Sequence, residues 1–214
     1  MRSNRCVATG RLPLCTTVAI VLVAGVCSAH AQTAAPEARA VDKSIKASDL
    51  RGEWFRAGAG FGCKVSAAKL PPDLLKPDIL AKACLHMGPF GVGENVQTLT
   101  TSLGAPPRTL PQSNGATESV DFLEKPGQYP YLVATVSKGI ITALQVTGPA
   151  PAKGYSFNHI DLGAPIDTLV QYFGQPRHLE PSSEKDTELW TYGLQPFSFE
   201  VRDSHVTSIR IALP

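Results

Sequence analysis

Near the C-terminus, Ile166, Leu169, Val170 and Phe173 stand at i, i+3, i+4 and i+7, one face of a helix. Pro165 suits the first turn, Gly174 the C-terminal cap, and Pro176 the stop beyond it. The pattern then changes to strict alternation. Phe197, Phe199 and Val201 point one way and Ser198, Glu200 and Arg202 the other, as in an antiparallel strand with one buried face. Strands are predicted over about 188–193, 197–202 and 205–212. A helix this short is marginal alone in water, so it must pack on that sheet. The class is α+β.

The same pattern occurs once more upstream, and its register has to be chosen. LGAP appears at Leu103–Pro106 and again at Leu162–Pro165. Matching the two copies, an offset of 59, makes 103–115 and 162–174 agree at eight of thirteen positions. It also places Pro107 and Pro111 inside the helix, which proline forbids. An offset of 70 gives fewer identities and better chemistry. Val96, Leu99 and Leu103 then fall on Ile166, Leu169 and Phe173, Gly104 on Gly174, and Pro106 on Pro176. After a five-residue adjustment, the alternating runs 133–146 and 198–211 also correspond. Two tandem helix-on-antiparallel-sheet repeats are predicted, at 91–148 and 154–214, each a short helix, a variable loop and strands. The linker 147–154, TGPAPAKG, has the proline and glycine content of a connection.

Ahead of the repeats, 49–90 reads as an N-terminal extension. Its glycines and aromatics over 49–62 suggest a loop-rich stretch, and Pro77 starts a helix running toward Cys84. Gly58–Gly62 is no phosphate loop, because no strong strand precedes it and no helix clearly opens from it. Residues 32–48 carry few large apolar groups and read as a flexible lead-in. Residues 1–31 read as a secretory signal peptide. Arg2, Arg5 and Arg11 precede an apolar run from Leu14 to Val26, and Ala29-His30-Ala31 offers a cleavage site after Ala31. Cys27 follows the bulky Val26, which does not suit a lipoprotein box. A periplasmic or secreted location is expected, with no stable membrane span after cleavage.

Cleavage alters the charge and the cysteine count. The chain loses three arginines and no acid, so its formal net charge moves from +2 to −1. No basic block remains, and nucleic acid is not an expected partner. Only Cys63 and Cys84 survive, an even pair in an oxidising compartment, and a Cys63–Cys84 disulfide is expected. Closing that loop stabilises the fold by about 3 kcal/mol on the chain-entropy account. Zinc held by Cys63, Cys84 and His86 is the rival reading, and it lacks a CxxC pair and a fourth ligand. No metal and no cofactor are expected.

The segment GAPIDTLVQYFGQP, followed by LWTY and FSFEVRDSHVTSI, resembles the BamE (SmpA/OmlA) superfamily. The carrying residues are Gly163, Phe173-Gly174-Gln175-Pro176, Trp190-Thr191-Tyr192, Phe199 and Val206-Thr207-Ser208-Ile209, with Phe173 in place of a leucine. In tandem, the units also resemble the β-lactamase inhibitory protein-like fold. The resemblance implies a non-catalytic envelope module that binds another envelope or secreted protein. The lipoprotein cysteine of BamE itself is absent, and the extension 49–90 is extra.

Catalytic patterns are sparse. No HExxH or GxSxG is present, and His159 with Asp161 specifies little beyond a polar approach to the second helix. Trp190 and Tyr192 share one strand face, as anchors for a partner or as cover for the helix. Glu200 and Arg210 fall on adjacent strands, as a further partner contact or as a solvated pair. Two functions follow: a protein-interaction module of scaffold or inhibitor type, using the sheet face and the loop 105–119, or a small-ligand binder or hydrolase with a site between the repeats.

Overall fold

The structure, a computed structural model, describes residues 45–66 and 70–214. The signal peptide, its cleavage site, Cys27 and most of the lead-in lie outside the described residues. The first repeat contributes helix α2 (Gln97–Leu103) and strands β5 (Arg108–Pro111), β6 (Thr117–Phe122), β7 (Tyr131–Ser137) and β8 (Ile140–Thr147). The second contributes α3 (Ile166–Phe173) and β9 (His178–Pro181), β10 (Glu188–Thr191), β11 (Phe197–Arg202) and β12 (His205–Ala212). All eight strands form one antiparallel sheet in the order β5-β6-β7-β8-β12-β11-β10-β9. The last strands of the two repeats, β8 and β12, pair at the centre, with Ile209 opposite Val146 and Ile211 opposite Leu144.

The backbone selects the offset of 70 that the helical stripe favours. In the first repeat Gly93 N–H donates to Ile141 O at 2.8 Å, and in the second Gly163 N–H donates to Val206 O at 2.7 Å. Ile141 N–H returns to Glu94 O at 2.9 Å, matched by Val206 N–H to Ala164 O at 2.9 Å. Both β-bulges fall at the same place, Thr135/Val136 and Glu200/Val201. Gly104 and Gly174 cap the two helices at φ of 88° and 75°, where a side chain would be strained. The LGAP letters therefore close one helix and open the other.

Both helices lie on one side of the sheet. Leu99 from α2 and Leu169 and Phe173 from α3 are buried against Leu132, Leu144, Val146, Ile209, Ile211, Phe197 and Phe199. Each such side chain contributes about 1.5–3 kcal/mol by leaving water. Neither helix could stand without this contact.

The extension is ordered structure rather than loop. Strands β1 (Gly52–Ala57) and β2 (Gly60–Val65) form a hairpin, and α1 (Pro77–Ala83) begins at Pro77 as its fixed φ favours. Glycine in β2 reads as a breaker, yet Gly62 is there because the Phe55 ring crosses it: a Cβ would sit 2.6 Å from Phe55 Cζ. Cys63 and Cys84 form the disulfide, with Cα atoms 5.9 Å apart, tying β2 to the end of α1. Two-residue strands β3 (His86–Met87) and β4 (Phe90–Gly91) lead on to α2. The hairpin completes the core of the second repeat. Trp54 meets Phe197 at 5.5 Å, and Phe61 meets Phe173, Tyr192 and Phe197 at 6.0, 5.8 and 5.5 Å between ring centroids.

The stretch 105–119, expected as a loop, contains strand at 108–111 and 117–119. β5 and the start of β6 pair through Leu110 and Glu118, leaving 105–107 and a tight turn at 112–116 outside the strands. Pro111 is accommodated because it ends β5 at the sheet edge, where a missing N–H costs nothing.

Candidate functional site

With both helices on one face, the other face of the sheet is left as a platform. Strand register puts one side chain from each strand in a single transverse row: Arg108, Val120, Val133, Gln145, Arg210, Ser198, Thr191 and His178. A second row runs Phe122, Tyr131, Thr147, Ser208, Glu200, Leu189 and Glu180. Seven steps of about 4.8 Å make this face about 34 Å wide. The first row carries the cations Arg108 and Arg210, the second the carboxylates Glu200 and Glu180.

The centre of the platform is polar and internally satisfied. Gln145 Nε2 donates to Ser208 Oγ at 2.9 Å, and the Thr147 and Ser208 hydroxyls are 3.1 Å apart. Ser182 Oγ donates to Glu200 Oε1 at 2.6 Å. Toward the first repeat the platform becomes aromatic. Tyr129 stacks on Tyr131 at 5.3 Å and 24°, and Phe122 meets Tyr131 edge-on at 6.4 Å. Tyr129 is 55% exposed. Burial, reinforced by the neighbouring Tyr129, pushes the Tyr131 phenol up.

The four residues singled out from sequence divide between the faces. Trp190 and Tyr192 lie on the helix side, only 6% and 2% exposed. Trp190 Nε1 donates to Glu188 Oε2 at 3.0 Å, and the Tyr192 ring packs on Phe61, Phe173, Phe197 and Phe199. Burial pushes the Tyr192 phenol up as well. They cover the helix, and neither can be a surface anchor in this conformation. Glu200 and Arg210 do lie on the platform, but diagonally: Glu200 faces Ser208 and Arg210 faces Ser198. Among the described residues they make no ion pair with each other. The exposed Tyr129 and the half-buried Phe122 and Tyr131 escaped the sequence reading. The alternation of Leu132 and Ala134 with Tyr131 and Val133 carried the signal.

A second concavity lies between the extension and the first repeat. It encloses about 670 Å³ and is lined by Arg51, Ile79, Lys82, His86, Phe90, Val92, Glu94 and neighbouring residues. His86 Nε2 stands 3.5 Å and Arg51 Nη2 4.0 Å from Glu94 Oε1. The Ala83 carbonyl accepts from His86 Nδ1 at 3.2 Å, which leaves Nε2 turned to the cavity. Burial first, then Arg51, lowers the His86 pKa, against the upward pull of Glu94. The space between the repeats is filled instead, because β8 pairs with β12 and one core spans both.

Other candidate chemistry is dispersed. His159 pairs with Glu53 at 3.1 Å rather than with Asp161, and both partners are exposed. Cys63 and Cys84 are consumed by each other, so neither is a thiolate for zinc. No cluster of three or more His, Cys, Asp or Glu side chains suited to a metal occurs among the described residues. No helix among them is long and apolar enough to cross a membrane.

No protein-family model matches the chain, and no curated protein matches it. Among solved structures, a cysteine-rich secretory protein from Staphylococcus aureus subsp. aureus Mu50 is similar over 56% of this chain and 44% of its own, at 17% identity and a TM-score of 0.40. The chain thus spans less than half the length of that protein. A DUF4309 family protein from Bacillus subtilis subsp. subtilis str. 168 matches over 56% and 79%, at 12% identity and a TM-score of 0.38. A candidate beta-lactamase inhibitor protein from Streptococcus mutans matches over 56% and 82%, at 15% identity and a TM-score of 0.24. Likeness at this level carries no argument about activity, and the architecture rests on the strand order and register of the chain itself.

Proposed function

We propose that the protein is a secreted or periplasmic module that binds another envelope or secreted protein through the outward sheet face, without chemistry of its own. One observation carries this reading: eight strands in continuous register present a row of side chains from Arg108 to His178, uncovered by either helix. The face is the breadth of a standard half-interface, about 800 Å² per partner. Its exposed Tyr129, backed by Tyr131 and Phe122, has the amphipathic, rigid character of an interface anchor. A basic row beside an acidic row supplies register and specificity more than affinity. The signal-like N-terminus and the disulfide support the location. The BamE-like motifs support a scaffold or inhibitor role, and the two repeats at 91–148 and 154–214 are read as a duplicated unit fused at β8 and β12.

Photocrosslinking in the native envelope tests this. A benzophenone side chain at Tyr129 or Gln145 is expected to give discrete adducts with one protein, identified by mass spectrometry. The same probe at Lys153, exposed in the linker, is the control. Identical adduct patterns at all three positions, or none at the two platform positions, would sink the proposal.

A further inference from the structure

The extension does more than complete a core, because it walls a cavity that the repeats alone would lack. Ala47, Ser48, Arg51, Ile79 and Lys82 come from the extension, whereas Val92, Glu94, Asn95 and Thr98 open the first repeat. About 670 Å³ lies within the range of small-molecule sites. The disulfide anchors the end of α1 that carries Lys82, and so fixes that wall.

Arg51, His86 and Glu94 are held in place around the cavity. Arg51 Nη1 donates to the carbonyls of Ser48 and Leu50 at 2.7 and 3.0 Å, which pins the guanidinium. Its other terminal nitrogen stands 4.0 Å from Glu94, too far for a hydrogen bond, so its donors there remain unspent. Lys82 has no ion-pair partner among the described residues. Its stem lies over Gly93, where a Cβ would be 3.2 Å from Lys82 Cδ. The Glu94 carboxylate and the His86 imidazole rest on Gly91, where a Cβ would come within 2.8 and 2.6 Å of them. The pinned Arg51 and the exposed Lys82 thus oppose one negative charge, and Ile79 and Pro89 supply apolar wall between them, with Phe90 and Val92 buried beneath.

We propose that this cavity is a binding site for a small organic carboxylate with an apolar body, its anion held by Arg51 and Lys82 and its body laid against Ile79 and Pro89. The excess of cations selects the sign of the ligand, and the apolar wall selects against small hydrophilic anions. A guanidinium with unspent donors is well matched to the flat fork of a carboxylate. The site is separate from the sheet face and stands or falls independently of the partner-binding proposal.

Isothermal titration of the folded, disulfide-bonded protein with decanoate tests the assignment, with decyltrimethylammonium as the charge-reversed probe. One-to-one saturable binding of decanoate is expected, with no saturable binding of the cation. Lys82→Met keeps the stem over Gly93 while removing the charge, and Arg51→Ala removes the other cation. Each is expected to weaken decanoate by about tenfold. Glu94→Gln is expected to tighten it, because the competing anion is gone. Near-UV circular dichroism confirms that each variant is folded, and Lys82→Met decides the matter should Arg51→Ala unfold. Absence of decanoate binding, equal affinity for both probes, or an unchanged affinity in Lys82→Met would overturn the proposal.

Discussion

Asn158 grips the backbone of Trp54 as a neighbouring strand would. Its Oδ1 accepts from Trp54 N–H at 2.6 Å and its Nδ2 donates to Trp54 O at 3.0 Å, across 104 residues of sequence. Asn158 holds this pose at φ 48°, a left-handed conformation that asparagine tolerates better than most residues. The contact latches the extension hairpin onto the approach to α3, beside the aromatic cluster that Trp54 enters.

Asn158→Ala should therefore cost about 1–3 kcal/mol, the loss of two hydrogen bonds together with backbone strain. Asn158→Gly removes the same bonds but relieves the backbone, and should cost less. Urea unfolding of the two variants checks this. Equal midpoints for wild type and Asn158→Ala would show that the hairpin is held by its aromatics alone.

The division of aromatics between the two faces gives a second expectation. Trp190→Ala opens a cavity beneath α3 and should lose about 3–5 kcal/mol of stability. Tyr129→Ala removes an exposed ring and should change stability by about 0.5 kcal/mol or less. In partner binding the ranking should reverse, with Tyr129→Ala the more damaging among variants that remain folded. Thermal melts alongside the crosslinking yield of a probe at Gln145 read both effects. A destabilised Tyr129→Ala, or an unaffected Trp190→Ala, would reverse the assignment of faces.

Local chemistry explains which parts of this fold were legible beforehand. The stripe Ile166, Leu169, Val170, Phe173 and the alternation through Phe197, Phe199 and Val201 encode burial directly, so α3, β11 and β12 follow from the sequence. Offset selection worked because prolines cannot occupy a helix interior. Strands β5 and β9 were missed, since four-residue edge strands with mostly exposed side chains carry no alternation of burial. The β1–β2 hairpin was missed because Gly62 answers to the Phe55 ring and Gly52 to the Cys63–Cys84 sulfurs, contacts invisible in composition. The platform could be inferred only in outline. Which aromatics face outward depends on register: Trp190 sits opposite the buried Phe199, whereas Tyr131 sits opposite Thr147 on the open side. The cavity at Arg51 joins two segments whose contact has no sequence signature at all.

The repeats differ most where one is aromatic and the other polar. Ser119 lies opposite Ala134 as Trp190 lies opposite Phe199, and the matching bulges align Ala134 with Phe199. Two residues on, Asp121 takes the station of Tyr192. Asp121 is 5% exposed, and burial raises its carboxyl above the usual value of 3.8. For an acid whose folded pKa is raised, the stabilising contribution is complete below the unfolded value and is lost as pH climbs through the folded one. The ionised Asp121 therefore weakens the fold at neutral pH. Asp121→Asn should raise the urea midpoint at pH 7, and its advantage should shrink as pH falls toward 4. A variant that is less stable than wild type at pH 7, or an advantage that grows on acidification, would mean that the ionised carboxylate is a stabilising partner in the first repeat.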